Sequence, residues 1–377
     1  MEDWSVIYRV SLLGFLGAMI FGAVASKTHF CTMGSVSDWI NMGSKVRFRA
    51  WVLAMGIAIL GAQAMMQMGL IDLNETIYRG PSFGWAGFLI GGILFGIGMT
   101  LGGGCGQRTL VRVGGGNLKS LVVLIVMAIT AYATLRGILA PVRIDVFGSL
   151  AVDLAMHDIN DQGIDTLITH LTGLSLQMAS VAVAATLGVG AIIYAIKDES
   201  FRRSSDNILA GLTIGILVCG AWYVTGVIGN DDFEPVPLEA VTFIAPSANF
   251  LNYIMTWTGS EIGFGIAVVF GMIAGSFIYA VLTGNFRVES FIAGGDMRNH
   301  LVGGVLMGFG GVLSFGCTIG QGVSGISTLA LGSFLTLISI MLGSALTMKT
   351  QYYMLDDGFW VSLRQSLVDL KLWPQNS

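Results

Sequence analysis

Long apolar runs, separated by short polar or glycine-rich segments, make up most of this 377-residue chain. A helix needs about 20 mainly apolar residues to cross a bilayer. Nine runs approach that length and predict nine transmembrane helices. They lie roughly at residues 8–26, 50–70, 83–102, 119–140, 173–196, 207–229, 261–283, 299–316 and 329–348. The runs that end at residues 102 and 316 are short, and each leads into a glycine-rich break.

Composition supports a polytopic membrane protein. The chain is 54% hydrophobic and 11% charged, whereas soluble domains carry about 25% charged residues. Its 53 glycines suit closely packed transmembrane helices. A net charge of −4 gives no basic field that would indicate nucleic-acid binding. The first residues, Met1–Trp4, lack the basic region of a cleaved signal peptide, so we expect the first run to be retained as a helix.

Loop charges predict the orientation, because cytoplasmic loops are enriched in Lys and Arg. If the loop after the first run is cytoplasmic, the loops on that side hold twelve basic residues and the opposite loops hold three. The twelve are Lys27, Lys45, Arg47, Arg49, Arg108, Arg112, Lys119, Lys197, Arg202, Arg203, Arg287 and Arg298. The three are Arg79, Arg136 and Arg143. The N-terminus is then outside and, after nine crossings, the C-terminus is cytoplasmic.

The segments outside the spans complete the predicted organisation. The polar loops 141–172 and 230–260 face outside in this orientation, and we expect them to carry short surface helices. We expect residues 1–348 to form a single transmembrane domain and residues 349–377 to form a cytoplasmic tail with an amphipathic stretch at Phe359–Leu372. No soluble domain is expected.

An internal repeat relates the two short spans. The segment Gly91–Gln107 resembles the segment Gly303–Gln321, since both read as a Gly-rich apolar run, a Gly-Cys pair and then a Gly-Gln pair. In the predicted orientation the two copies run in opposite directions across the membrane. We therefore expect inverted repeats at about 8–140 and 207–348, joined by 141–206. Such repeats are typical of secondary transporters, whose sites lie where broken helices meet near the midplane.

Three of the four cysteines occupy breaks between apolar runs. Cys105 and Cys317 are equivalent in the repeat, and Cys31 ends the first run, whereas Cys219 lies inside an apolar helix and is interpreted as packing. Soft, polarizable thiols along a path suit a soft solute: a sulfur oxyanion with a terminal sulfur, a selenium analogue or a soft metal. A neutral thiol can donate a weak hydrogen bond to an anion, while a thiolate would repel it.

Residues around these cysteines complete the candidate site. Gly-rich backbone at the breaks can expose N–H groups to an anion, glutamines can donate hydrogen bonds, and nearby cations can balance its charge. The candidates are Cys31, Cys105, Cys317, Gly104, Gly106, Gln107, Gly316, Gln321, Lys27, His29 and Arg108. The cations suit a cytoplasmic rim equally well. Catalytic residues, a metal site and a cofactor are not predicted.

At these residues the chain resembles the YeeE/YedE family of bacterial inner-membrane thiosulfate-uptake transporters. The resemblance covers most of residues 10–348. The matching motifs are His29-Phe30-Cys31-Thr32, Gly103-Gly104-Cys105-Gly106, Trp222-Tyr223-Val224-Thr225-Gly226 and Gly316-Cys317-Thr318-Ile319-Gly320-Gln321-Gly322-Val323-Ser324-Gly325.

The resemblance implies an hourglass-shaped helical protein in which Cys31, Cys105 and Cys317 contact thiosulfate on its way inward. It also implies a small cytoplasmic sulfurtransferase of the TusA type as a partner, on a separate chain because no such domain follows residue 348. The leading interpretation is a thiosulfate importer of the bacterial inner membrane, not an enzyme. The alternatives are a selenium-compound permease of the same fold and a membrane sulfurtransferase or redox protein that uses Cys persulfides. A soft-metal permease fits less well, since the 19 methionines are scattered.

Overall fold

The computed structural model describes residues 5–231, 234–291 and 294–372, and these residues are almost entirely helical. The helices are α1 (Val6–Thr28), α2 (Thr32–Met42), α3 (Val46–Gln67), α4 (Gly92–Leu101), α5 (Gly106–Gly114), α6 (Leu118–Arg136), α7 (Ile164–Thr172), α8 (Leu176–Ile196), α9 (Glu199–Arg202), α10 (Ser205–Tyr223), α11 (Ile244–Met255), α12 (Phe264–Leu282), α13 (Gly294–Leu313), α14 (Leu331–Tyr353) and α15 (Phe359–Asp369). The strands β1 (Ser82–Phe83) and β2 (Val152–Asp153) pair antiparallel. The predicted all-α class is confirmed. The predictions for Met1–Trp4 and for the last five residues of the tail lie outside the described residues.

Eight helical stretches in the described chain are long and apolar enough to cross a membrane. They are Val6–Met42, Val46–Gln67, Gly87–Gly114, Leu118–Arg136, Leu176–Ile196, Ser205–Ile228, Phe264–Leu282 and Leu331–Tyr353. The ninth predicted span, 299–316, is helical as part of α13 but is not among them. The count of nine crossings therefore stays a prediction, and the chain is a multi-pass membrane protein.

Helices α4 and α13 cross through glycines that are equivalent in the repeat. A Cβ atom placed on Gly98 would lie 2.8 Å from the Gly303 carbonyl oxygen, and one placed on Gly303 would lie 2.7 Å from the Gly98 carbonyl oxygen. Gly91 and Gly310 face each other in the same way, at 2.7 and 2.5 Å. The backbones touch because no side chain separates them. Since Gly91 aligns with Gly303 and Gly98 with Gly310, the contacts exchange as a two-fold axis between the predicted repeats would require.

The flanking helices follow the same relation. Gly92 of α4 packs against the Thr336 carbonyl of α14, and Gly304 of α13 packs against the Val123 carbonyl of α6. Helix α1 likewise packs along α12, as α3 packs along α10. Small residues at these crossings allow the close approach that the glycine content predicts.

Besides α7 and α9, the short helical segments between the long helices include these four: α2, α5, α11 and a helical turn over residues 318–327, whose central part Gly320–Gly325 is π-helical. Helix α11 corrects the expectation of a surface helix in the 230–260 loop, because Pro246, Ser247 and Ala248 are buried and the helix packs against α6 and α12. The prediction missed this helix because the loop is polar on average over its length, although the stretch that forms α11 is apolar. Helix α7, in the other loop, packs on α8 and buries Asp165.

The tail segment predicted as amphipathic forms α15. Ser366 packs on α14, where the Thr350 hydroxyl donates to the Ser366 hydroxyl at 3.2 Å. Lys349 pairs with Asp369 at 3.5 Å. The tail helix is therefore held against the end of α14.

Candidate functional site

The same local turn is built at three places in the chain. A long helix ends, one residue adopts a left-handed backbone, and two residues later a cysteine stands immediately before a short helix. The left-handed residues are His29 (φ 52°), Gly103 (φ 72°) and Phe315 (φ 58°). The cysteines that follow are Cys31, Cys105 and Cys317, and together they are called the three-thiol cluster. A turn of this kind stops one helix and starts the next within four residues.

The turns bring the thiols together in the interior. The side chains of Cys31 and Cys105 are in contact, and the Thr318 side chain, which directly follows Cys317, faces the Cys105 thiol. Cys105 and Cys317 are fully buried, and Cys31 is 6% exposed. All are free thiols. The sequence separations between these cysteines gave no direct sign of this convergence.

The starts of the four short helical segments meet at the three-thiol cluster. The Gly320 amide donates to the Cys317 sulfur at 3.4 Å, and the Thr242 side chain and the Phe243 backbone, at the start of α11, face the same thiol. At the start of α5, a Cβ on Gly106 would lie 3.2 Å from Ile244 Cδ1. Helix N-termini carry positive partial charge and unpaired N–H groups. The convergent helix starts therefore favour an anion at the centre.

Several buried polar atoms beside the thiols lack hydrogen-bond partners within the described residues. They are the Thr32 and Thr318 hydroxyls and the Gln107 side-chain nitrogen. The Gln107 oxygen is occupied, since it accepts from the Cys105 thiol at 3.8 Å. Buried donors without partners are costly, so these three atoms are available to a polar ligand. The threonines were missed as site residues. Their signal was the position directly after a cysteine, in Cys31-Thr32 and Cys317-Thr318.

The predicted flanking residues fall into two groups. Gly104, Gly106 and Gly316 adjoin the cysteines in the turns. The Gln321 side-chain nitrogen instead donates to the Ser314 carbonyl, so this residue holds its loop and its repeat partner Gln107 contacts a thiol.

The three predicted basic residues lie in two different places. Lys27 is half exposed and lies 4.0 Å from Asp206, at the rim. His29 and Arg108 line a cavity of about 690 Å³ that reaches Cys31, and this cavity is called the vestibule. Within the described chain, Arg108 forms no ion pair.

The phenol of Tyr78 lies near Cys317, and the carboxyl of Glu239 lies near that phenol. Tyr78 is buried, and burial, with Cys317 and Glu239 as its acidic neighbours, raises the pKa of the Tyr78 phenol. Burial also raises the pKa of the Glu239 carboxyl to about 7, with a smaller opposing effect from the Gly265 amide. Glu239 comes from the loop between α10 and α11 and was not singled out in the sequence, because it lies outside every predicted span.

A cluster of buried charged residues lies next to the turn that follows Cys317. The Arg79 guanidinium, predicted to lie in an exterior loop, is fully buried and lies 2.8 Å from Asp165 and 3.0 Å from Asp161. It also donates to the Thr328 carbonyl at 3.4 Å. The residues Arg79, Asp161 and Asp165 are called the buried arginine cluster. They tie two loops to the turn that follows Cys317.

Cys219 lies apart from the three-thiol cluster. Its sulfur packs where Gly61 leaves space and lies 3.6 Å from the Ile57 carbonyl. Nearby, the Trp222 indole N–H donates to the Ser327 hydroxyl at 2.9 Å, which supports the 318–327 turn. Among the described residues, no group of three or more His, Cys, Asp and Glu side chains is placed to hold a metal ion.

Comparison with known proteins agrees with this architecture. The profile of a family described as sulphur transport matches residues 27–346 of the chain. The chain is 25% identical over 355 residues to the thiosulfate transporter TsuA of Escherichia coli, which covers 89% of this chain and 93% of that protein. It is 26% identical over 337 residues to the thiosulfate transporter TsuA of Spirochaeta thermophila, which covers 88% of this chain and 96% of that protein. The family and the names of these relatives point to a transporter and not to an enzyme.

Proposed function

The chain belongs to the sulphur-transport family, and we propose that it imports thiosulfate, or a closely related sulfur-containing anion, through the three-thiol cluster. The proposed setting is the bacterial inner membrane, with the N-terminus outside and the C-terminus in the cytoplasm. The observation that supports the proposal is that the buried Cys105 thiol interacts with the Cys31 side chain and with the Thr318 side chain that follows Cys317.

In the proposed path the anion passes from the Cys317 side to Cys105 and then to Cys31, which opens onto the vestibule. In this proposal each neutral S–H donates a weak hydrogen bond to the anion, and the contact of Cys31 with Cys105 supports a transfer between these two thiols. Weak, adjacent sites suit throughput, because a site must release what it binds. The surrounding helix N-termini offset the charge of the anion without binding it as tightly as a buried cation would.

The unpartnered donors give the centre its selectivity for an anion. The Thr32 and Thr318 hydroxyls and the Gln107 nitrogen are buried beside the thiols without partners in the described chain. An anion that accepts from them recovers hydrogen bonds that the empty centre lacks. Sulfur oxyanions suit this mixture, since their oxygens accept from hydroxyl and amide donors while the terminal sulfur meets the thiols.

The membrane potential opposes this uptake. Moving one elementary charge against 100 mV costs about 2.3 kcal/mol, so a dianion costs about 4.6 kcal/mol per 100 mV. We propose that consumption of the anion inside, by a separate sulfurtransferase of the TusA type, draws the import forward. A selenium analogue would be bound by the same chemistry.

One observation favours a second candidate from another class. Contact between the Cys31 and Cys105 thiols is what a membrane redox protein or sulfurtransferase with Cys persulfides would need. Such a protein would turn over in detergent, whereas a transporter needs a sealed compartment. Turnover of thiosulfate by the purified protein in detergent would favour this second function.

The test is uptake of labelled thiosulfate into proteoliposomes. Cys31→Ala, Cys105→Ala and Cys317→Ala are each expected to lower the initial rate about tenfold or more, since a hydrogen bond to a charged group is worth about 1.5–3 kcal/mol. Cys219→Ala is the matched control, because its sulfur lies outside the cluster, and it should transport like the wild type. Equal rates in all four variants would rule out the thiol-lined path. No uptake by the wild type would exclude thiosulfate as the solute.

A further inference from the structure

The vestibule is a cavity of about 690 Å³ below Cys31, on the predicted cytoplasmic side. Its walls come from the end of α1, from α2, α3 and α5, and from the segment between α12 and α13. This volume exceeds what one small oxyanion needs, so an anion there keeps part of its hydration. The thiols of Cys105 and Cys317, by comparison, are fully buried.

Four arginines line the vestibule, together with a single carboxylate, that of Glu289. Arg47 is paired with Asp38 at 3.2 Å. In the part of the chain that the structure describes, the other three form no ion pair. These three are Arg108, Arg112 and Arg287. Unpaired positive charge in a concave wall concentrates anions, because low-dielectric walls focus the field.

Glu289 acts electrostatically on Arg112 but forms no ion pair with any of these arginines in the described chain. Its carboxylate accepts from the Asn117 side-chain nitrogen, and its backbone is fixed against the turn that precedes α6, where the Leu118 amide donates to the Glu289 carbonyl at 2.9 Å. Arg112 is held in place as well, since its guanidinium donates to the Gly103 carbonyl at 3.1 Å. The charge of Arg112 is thus held at the wall of the vestibule.

The donors of the vestibule differ in kind from those of the three-thiol cluster. Guanidinium groups match the oxygens of oxyanions with paired N–H donors, whereas thiols suit a soft sulfur atom. Arginines therefore bind the oxygen end of an anion and do not require its sulfur. The vestibule should therefore bind sulfate and thiosulfate with similar affinity, whereas the thiols should distinguish between the two anions.

We propose that the vestibule is a second anion-binding site, formed by Arg108, Arg112 and Arg287, that receives divalent oxyanions from the three-thiol cluster on its cytoplasmic side. This inference rests on the proposed function for its place in transport, but the binding site itself does not. Holding the anion in the vestibule lowers its return rate through the thiols and presents it to whatever consumes it.

The experiment measures binding of labelled sulfate to the full-length protein in detergent at low ionic strength, by equilibrium dialysis. Arg287→Gln and Arg112→Gln are each expected to weaken sulfate binding about tenfold, the loss of one charge-assisted hydrogen bond. Arg364→Gln is the matched control, because Arg364 is exposed on the tail helix, and it should bind sulfate like the wild type. The Arg287 side chain is exposed and makes no hydrogen bond within the described chain, where only its backbone amide is bonded, to the Gly115 carbonyl at 3.2 Å. The Arg287→Gln variant therefore tests the site even if Arg112→Gln does not fold.

The outcomes separate this proposal from the transport proposal. We expect sulfate binding that depends on the arginines. We also expect no sulfate uptake into proteoliposomes, since the thiols should not bind an anion without a terminal sulfur. If the wild type does not bind sulfate at millimolar concentration, or if Arg287→Gln binds it unchanged, the vestibule site is wrong even where thiosulfate uptake is normal. If the wild type binds sulfate through the arginines but takes up no thiosulfate, the vestibule stands and the transport proposal fails.

Discussion

The two glycine-rich breaks, one around Cys105 (residues 102–117) and one around Cys317 (residues 314–330), share a backbone turn before the cysteine and differ in how their arginines are placed. In each, a left-handed residue precedes the cysteine by two positions. In each, the next long helix begins where its first amide is bonded to a distant loop: Leu118 to the Glu289 carbonyl at 2.9 Å, and Leu331 to the Gln162 carbonyl at 3.0 Å. The repeated sequence thus builds the same support twice.

The arginines differ. The Cys105 break carries Arg108 and Arg112, which line the open vestibule without ion pairs in the described chain. The Cys317 break is tied instead by Arg79, which is buried between two aspartates and reaches the Thr328 carbonyl. A symmetric scaffold therefore supplies the convergent helix starts, and the placement of charge makes the two sides unequal. On the Cys317 side the arginine is held in a buried ion pair, whereas on the Cys105 side the arginines are available to attract anions.

The largest effect is expected from removing Arg79. Arg79→Met leaves Asp161 and Asp165 buried without their cation, and breaking a buried pair costs about 3–5 kcal/mol. Thermal or denaturant unfolding in detergent should show this loss. Arg108→Gln is the contrasting variant, because its guanidinium is partly exposed and unpaired, and its unfolding free energy should change by less than about 1 kcal/mol. An equal loss of unfolding free energy in the two variants would show that the buried, paired Arg79 and the partly exposed, unpaired Arg108 contribute alike to stability.

The second effect concerns the hydroxyl beside Cys105. Thr318→Val removes a buried hydroxyl that has no partner in the described chain. Stability should be retained or rise by about 1 kcal/mol, while thiosulfate uptake falls about tenfold. Thr134→Val is the control, since its hydroxyl donates to the Thr130 carbonyl at 2.8 Å, and it should lose stability without losing specific uptake. A Thr318→Val protein that transports like the wild type would show that the hydroxyl does not serve the solute.

The third effect is a pH dependence on the Cys317 side. Burial raises the pKa of Glu239 to about 7, so the carboxyl becomes charged as the pH rises through 7 and then repels an anion approaching Cys317. Uptake should fall several-fold between about pH 6 and pH 8, and Glu239→Gln should flatten this profile. The stability that the protonated carboxyl contributes is full below its unfolded pKa and is lost as the pH rises through its folded pKa. A profile unchanged in Glu239→Gln would separate this carboxyl from the path.

The smallest effect compares the two turns directly. Gly103→Ala places a Cβ at φ 72°, where a side chain costs about 1–2 kcal/mol, and that Cβ would lie 3.1 Å from Arg112 Nη1. Phe315 already has a side chain at φ 58°, so Phe315→Gly should change stability less, because relief of strain is offset by added chain entropy. Unfolding midpoints of the two variants check this order. The reverse order would mean that the turns are not equivalent.

The sequence predicted the helical class, the turns at the cysteines and the candidate thiols, because hydropathy and glycine are local signals. It did not reveal that Arg79 is buried, since a loop arginine flanked by polar residues looks solvated until Asp161 and Asp165 are folded against it. Glu239 and the buried helix α11 were missed for the same reason. Their environment comes from distant segments, and no local pattern reports it. The roles of the thiols and of the flanking glycines stay predictions.

The glycine contacts between α4 and α13 bear on how such a protein moves. A carbonyl oxygen placed against a Cα at Gly98 and Gly303, and again at Gly91 and Gly310, leaves no side chain that could change rotamer to let one helix slide on the other. A shift by one residue along the axis would drive a bulky neighbour such as Met99 into the opposing backbone. We therefore expect the contact between α4 and α13 to stay fixed during transport. Passage of the solute would then depend on small rearrangements of the short helices and not on the movement of two rigid halves against each other.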